Sequence, residues 1–469
     1  MESKRIFTAQ TPSKIGEHVK VAGWVHARRD HGKVMFLDLR DWSGIVQTVV
    51  TSQAGLAYEQ AQRVRAEWVV EIQGKVQERP EKLKNTDLAT GAIEIAIESI
   101  HVLSEAKTLP FRVDTDGYEI GEEHRLKYRY LDLRRDRLRR NLAMRAKLNQ
   151  FIRNDLVSQG FVEVETPIIT KSTPEGARDY LVPSRLYAGK FYALPQSPQQ
   201  YKQLLQVGGI ERYFQIVRCF RDEDTRADRQ PEFTQLDIET SFTTQEDILN
   251  LIEDLYTRLV KQFFPEKHIL KTPFPRMTHK EAMEKYGNDK PDIREHKDDP
   301  NELAFVFVLD FPLFEWKEQE KRWDATHHPF TRPQSDSIEE ITSKPAEQLA
   351  YQYDLALNGY EIAGGSLRIY KPEMLAAIFE FMGNTKEEIH NKFGHILEAF
   401  EYGAPPHGGI ASGLDRLYSI LFGEPNIREV IAFPKTGDSR DLMMDTPSAV
   451  SADQLKELHL SLIPQEKEK

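Results

Sequence analysis

Residues 221 to 230 hold Arg221, Glu223, Arg226, Arg229 and Gln230 in one charged stretch, RDEDTRADRQ. A guanidinium is a planar fork that matches phosphate oxygens, and Glu and Gln offer acceptors to the edge of a base. That mixture suits a nucleotide. Further on, PPHGGIASGLDR (405–416) runs from glycines that allow close backbone approach into a helix carrying Arg416, a generic cue for phosphate. Asp354 and Glu361 are hard oxygen ligands of the kind that magnesium takes one or two of. Zinc is disfavoured: Cys219 is the single cysteine, and His327 and His328 are adjacent, so on an extended chain their side chains point apart. Neither G-x-x-x-x-G-K-[ST] nor G-x-G-x-x-G occurs, so the nucleotide is held by neither a P-loop nor a dinucleotide fold.

The elements that position these residues follow from periodicity. Phe214 to Phe220 and Glu232 to Glu239 alternate apolar and polar residues, which predicts two antiparallel strands joined by a long loop. The period of two places Gln215 and Arg221 on one face of the first strand. On the second it places Gln235, Asp237 and Glu239 together, with Ile216, Leu236 and Ile238 turned toward a core. From Asn141 the pattern is helical, with Leu148, Phe151, Ile152 and Leu156 on one face until Gly160. The strand FVEVETPII follows, then the polar loop KSTPEGARDY (171–180), punctuated by Pro and Gly and suited to moving over a site. A helix is expected near 244–264. In GLDRLYSILFG, Leu414, Leu417, Ile420 and Leu421 make a buried helix face beside Arg416.

Toward the N-terminus, residues 19–103 read as five short strands with a helical stretch near 54–66 after the third, the order of an OB-fold barrel. Arg29, Phe36, Gln47 and Glu94 are expected on its exposed face, an aromatic platform beside groups that read base edges. Phe36 by itself also fits a core position of an alternating strand. The stretch RLKYRYLDLRRDRLRR is strongly basic, consistent either with phosphate contact or with a solvated helix start made of Asp–Arg pairs.

With 469 residues the chain has room for two to four domains. The net charge of -11 excludes a uniformly basic nucleic-acid binder, so a polyanion must be met by local patches. No run of 18 apolar residues and no apolar leader segment are visible, so a cytoplasmic protein is expected.

Taken together, FRDED…QPEFTQLD, the helix and strand ending in ETPII, and the glycine-rich strand entering GLDR resemble motifs 2, 1 and 3 of the class II aminoacyl-tRNA synthetases. STPEGARD followed by QSPQQYKQLL is similar to the aspartyl-tRNA synthetase family, and GWVHARRDHG with FLDLRD resembles the anticodon-binding domain of the aspartyl, asparaginyl and lysyl subgroup. The resemblance implies an α+β fold, with an N-terminal OB-fold barrel (1–105), a hinge (106–140) and a catalytic domain built on an antiparallel sheet flanked by helices (141–445). A C-terminal extension (446–469) follows. Bacterial-type members usually carry a large insertion before LAFVFVLDF, and about a dozen residues stand there instead.

By the same resemblance Arg221 and Arg416 are the catalytic cations, on the α- and γ-phosphates of ATP. Asp222, Glu223, Gln230, Glu361, Gly413, Leu414 and Asp415 complete the ATP site, and Asp354 with Glu361 holds Mg²⁺. L-Aspartate would meet Glu175, Gln199, Lys202, Arg221, Gln235, Asp237, His327 and Arg368. The anticodon of tRNA(Asp) would meet Arg29, His31, Phe36, Gln47 and Glu94. His31 resembles the choice in members that also charge tRNA(Asn), whose product an amidotransferase then converts, and the strict and relaxed readings both stay open here. Motif 1 implies a homodimer. Asparaginyl or lysyl specificity, or an inactive RNA-binding relative, are the competing readings.

Overall fold

The computed structural model describes residues 4–172, 176–223 and 229–463, which fall into two compact units: residues 1–121 with 134–139, and 122–133 with 140–469. In the first unit β1 (His18–Asp30), β2 (Val34–Asp41), β3 (Gly44–Thr51), β4 (Val69–Glu78) and β5 (Ile93–Ser104) close into a barrel of order β1-β2-β3-β5-β4, with α1 (Leu56–Arg63) following the third strand. Closure follows from alternation. Val19, Val21 and Val25 on β1 and Met35, Leu37 and Leu39 on β2 point inward and are buried, so each strand presents its other residues outward. Phe36 lies between Met35 and Leu37 and therefore stands on the outer face, half-buried, outside the barrel core.

The basic stretch turns out to be structural. It forms α2 (Glu122–Lys127), α3 (Arg129–Asp132) and the start of α4 (Asp136–Ser158). Arg125 pairs with Glu429 at 2.7 Å, and Arg129 binds Asp132 while donating to the carbonyls of Arg428, Ile431 and Ala432. Arg135 and Arg137 donate to the carbonyls of Arg112, Thr115 and Asp116. A guanidinium has five donors in a fixed fork, enough to close several loop carbonyls at once. These four arginines are buried, so neither phosphate contact nor a solvated helix start describes them.

The second unit is built on an eight-stranded sheet. In chain order its strands are β6 (Val162–Glu163), β7 (Arg212–Phe220), β8 (Glu232–Ser241), β9 (Arg276–Thr278), β10 (Phe305–Leu309), β11 (Gln352–Leu357), β12 (Tyr360–Leu367) and β13 (His407–Gly413). In space they run β9-β10-β11-β12-β13-β8-β7-β6, antiparallel except for the two outermost pairs. One face carries Phe214, Leu236, Ile238, Ile410 and Leu355. It is covered by Ile248, Ile252 and Tyr256 of α6 (Gln245–Phe263) and by Leu148, Ile152 and Leu156 of α4, all buried. A capping box between Thr244 and Asp247 starts α6. The other face is polar and carries the site described below. The stretch 288–301, which precedes β10, is a short connection pinned by Asp292–Arg294 and by the Glu302 carboxylate on the amides of Glu295 and His296.

Candidate active site

On the polar face the registers Asp237↔Gln215, Asp237↔Ala411 and Gly364↔Ala411 place the acidic residues of β8 beside the small residues of β13 and β12. Small residues are required there. A Cβ on Gly409 would stand 2.1 Å from the carbonyl of Ile238 and 2.1 Å from Glu239 Oε2, and one on Gly365 would stand 2.2 Å from the carbonyl of Gly409. The close approach read from these glycines is thus strand to strand. Gly413 is different: its nearest neighbour would be 3.9 Å away, and it borders a cavity of about 220 Å³.

Arg221 and Arg416 both line that cavity, with Glu223, Arg229, Phe233, Gln235 and Glu361 around them. The Arg221 guanidinium lies 5.1 Å from the Phe233 ring centre, so the planar fork has an aromatic support. Arg416 donates to the carbonyl of Glu361 at 2.7 Å. Glu223 is bound by Arg229 at 2.6 Å. Gln230 lines the wall, but its amide is occupied on both sides by the backbone of Lys435, so it ties the loop end down. Asp415 likewise borders the cavity while its carboxylate accepts from Arg145 and from the amide of Thr234, stapling α7 (Leu414–Phe422) to β8. Leu414 packs into the core, and Asp222 stands outside the wall, its backbone bridged to Arg178. Arg226 and Glu175 lie outside the described residues.

Beside the cavity is a buried ionic network. Lys202, on α5 (Gln199–Val207), bonds Asp237 Oδ1 at 2.7 Å and Glu239 Oε2 at 3.2 Å. Arg368 pairs with Glu239 through Nε at 3.0 Å and Nη2 at 3.2 Å, and its Nη1 donates to Ser366 Oγ and to His328 Nε2. All four charged groups are at most 2% exposed. Burial would raise the Glu239 carboxyl, but Arg368 and Lys202 outweigh it and hold the group at about 2. Burial and then Arg368 and Lys202 hold His328 well below the usual imidazole range, so it is neutral at pH 7.

Two cations and two carboxylates therefore balance. What remains is donor capacity: Arg368 uses four of its five N–H groups and Lys202 two of its three on described residues. Gln199 joins through Gln203, whose Nε2 meets His407 Nε2. His407 Nδ1 faces the carbonyl of Pro405 and so donates, leaving Nε2 to accept. Gln235 accepts from the Cys219 thiol at 3.1 Å. His327 packs edge-on against Phe311, and it is His328 that touches Arg368. Glu239, Gln203, Ser366, His328 and His407 were not expected as site residues. Only for Glu239 was a signal present, its shared face with Asp237.

Asp354 and Glu361 converge over Gly364: a Cβ there would lie 2.9 Å from Asp354 Oδ1 and 3.7 Å from Glu361 Oε1. Burial and then Glu361 push the Asp354 carboxyl well above its usual range. A divalent cation between them would relieve that repulsion. Among the described residues no third His, Cys, Asp or Glu joins the pair, which fits a hard cation that shares its shell with water and phosphate.

On the barrel, Arg29 forms a two-pronged pair with Asp38 at 2.7 and 2.8 Å and donates to Gln47, which in turn donates to Glu94. Arg29 sits 5.9 Å from the Phe36 ring centre, and His31 meets the same ring edge-on at 5.7 Å. The five expected residues form one cluster, and Asp38, Gln77 and Arg79 belong to it as well.

Residues 19–103 match the OB-fold nucleic acid binding domain, and residues 121–437 match the class II tRNA synthetases (D, K and N). A protein of Rubrobacter xylanophilus named Aspartate–tRNA(Asp/Asn) ligase is 43% identical over 96% of this chain and 95% of its own length. One of Shouchella clausii named Aspartate–tRNA ligase is 42% identical over 96% and 97%. The first alignment spans 573 positions against 469 residues here, so that relative carries sequence this chain lacks. The asparaginyl-tRNA synthetase of Pyrococcus horikoshii, solved with asparaginyl-adenylate, superposes with a TM-score of 0.74 at 23% identity over 92% of this chain and 98% of its own, a likeness of fold. With both family models matched over the barrel and the sheet, the chain belongs to the class II aminoacyl-tRNA synthetases of the aspartate, lysine and asparagine group.

Proposed function

We propose that this synthetase activates L-aspartate with ATP and transfers it to tRNA(Asp). The observation that carries the aspartate assignment is the buried Lys202–Asp237–Glu239–Arg368 network, in which one N–H of each cation is unused by the described residues. Two further donors would suit the two oxygens of a β-carboxylate. The amide of asparagine would point its own donors at them, and lysine would add a third buried cation; such mismatches are worth ~10⁴-fold or more.

In the first step an aspartate α-carboxylate oxygen attacks the α-phosphorus of ATP and the bond to pyrophosphate breaks, giving aspartyl-adenylate. A carboxylate is already ionised, so the reaction needs positioning and charge stabilisation and no general base. Arg221 meets charge on the α-phosphate, Arg416 anchors the γ-phosphate, and Glu223 turns from Arg229 to the adenine. Asp354 and Glu361 hold Mg²⁺, which when bound neutralises charge on the departing pyrophosphate. A ribose hydroxyl at the tRNA 3′ end then attacks the aspartyl carbonyl and AMP leaves. The barrel cluster of Arg29, His31, Phe36, Gln47 and Glu94 meets the anticodon.

His31 beside Phe36 favours a second reading of the tRNA partner, in which tRNA(Asn) is charged as well and an amidotransferase completes its product; the Rubrobacter name supports it. Val162, Ile168 and Ile169, exposed and apolar at the β6 edge, suit a second copy of the chain in a homodimer. The protein works where tRNA is charged, in the cytoplasm.

ATP–pyrophosphate exchange with aspartate, asparagine and lysine, followed by charging of tRNA(Asp) and tRNA(Asn) transcripts side by side, tests the assignment. Aspartate-dependent exchange is expected. Exchange driven by asparagine or lysine would overturn it.

A further inference from the structure

Gln352 opens β11 and shares the polar face with Asp354, two residues on, as the period of a strand requires. Its Nε2 donates to Asp354 Oδ1 at 2.9 Å, and both side chains are 4% exposed. That oxygen is also the one that leans over Gly364 toward Glu361. Across the strand pair Gln352 faces Ser366, the residue whose hydroxyl accepts from Arg368. The amide thus stands between the carboxylate pair and the amino-acid network. Its Oε1 is buried with no hydrogen-bond partner among the described residues.

An amide held this way has two consequences. The donated hydrogen bond restricts rotation of the Asp354 carboxyl group, which also faces the acidic Glu361. The orphaned oxygen, costly to leave unmatched in a buried place, is an acceptor for a donor brought by a ligand, such as water on a hydrated cation. We infer that Gln352 is a positioning residue for the divalent-cation site, aligning Asp354 opposite Glu361. The inference rests on the reading that Asp354 and Glu361 hold the cation.

The test is Mn²⁺ binding to the ATP-loaded protein, followed by the loss of the free-ion electron paramagnetic resonance signal, together with the Mg²⁺ concentration giving half-maximal ATP–pyrophosphate exchange. Three proteins are compared: the unaltered chain, Gln352→Met, which keeps the volume and removes the amide, and Asp354→Asn as the benchmark. Gln352→Met is expected to weaken Mn²⁺ binding and raise the Mg²⁺ requirement about 10-fold, the lower end of what outer partners of a metal ligand contribute, with the KM for aspartate unchanged. Gln352→Asn, which withdraws the amide by one methylene, carries the same expectation should the Met variant fail to fold. If Asp354→Asn weakens Mn²⁺ binding while the Gln352 variants do not, the inference about Gln352 is wrong. A raised aspartate KM with unaltered Mn²⁺ binding would also overturn it, placing the amide in the Ser366–Arg368 network instead. Should Asp354→Asn itself leave Mn²⁺ binding untouched, the cation reading falls, and this inference with it.

Discussion

Lys202 shows how burial changes the meaning of a lysine. In the sequence it is one charged residue on a helix; in the fold it bonds Asp237 Oδ1 and is one of two cations on Glu239. Removing it leaves two carboxylates buried with a single guanidinium. Lys202→Met is therefore expected to lower unfolding free energy by ~3–5 kcal/mol, measured by denaturant titration, and to abolish aspartate-dependent exchange. Glu239 carries a pH signature. Its folded value of about 2 lies below the ordinary 4.5, so its ionised form contributes stability that is fully present above about 4.5 and is lost as pH falls from there through about 2. The stability gap between the unaltered protein and Glu239→Gln should accordingly hold from pH 7 to 4.5 and narrow below. An unchanged gap at pH 3.5 would contradict the pairing with Arg368.

Among elements, β13 separates two roles that its glycines share in the sequence. Gly409 admits the neighbouring backbone, so Gly409→Ala should cost at least ~3 kcal/mol or prevent soluble expression. Gly413 has open space and ordinary backbone angles, so Gly413→Ala should fold normally, with an unchanged melting temperature, and raise the KM for ATP by crowding the cavity. Periodicity made the polar face of β7 and β8 legible in advance, because Gln215, Gln235, Asp237 and Glu239 alternate with apolar neighbours. It could not reveal that Gln230 and Asp415 spend their polar atoms on Lys435, Thr234 and Arg145, since those partners are far away along the chain.

For the whole molecule, barrel and sheet fall into two compact units. Phe36→Ala should reduce charging of tRNA(Asp) roughly 10- to 100-fold, the worth of one base stacked on an aromatic, while amino-acid activation by ATP–pyrophosphate exchange stays intact. A parallel loss of exchange would place Phe36 in folding instead. What the sequence determined alone is whatever depends on local pattern: the alternating strands, the helix faces, the glycine strand entering α7, and the motif order that marks the family. Tertiary structure decided which charges face which. For Arg125, Arg129, Arg135 and Arg137 the sequence left phosphate contact and a solvated helix start both open, and three-dimensional closure turned them onto loop carbonyls and Glu429. The cations meant for a substrate were found already balanced by Asp237 and Glu239. Periodicity tells which face a side chain takes, but an ion pair forms between groups brought together by the fold, and in a buried place the energy of a charge is set by those partners.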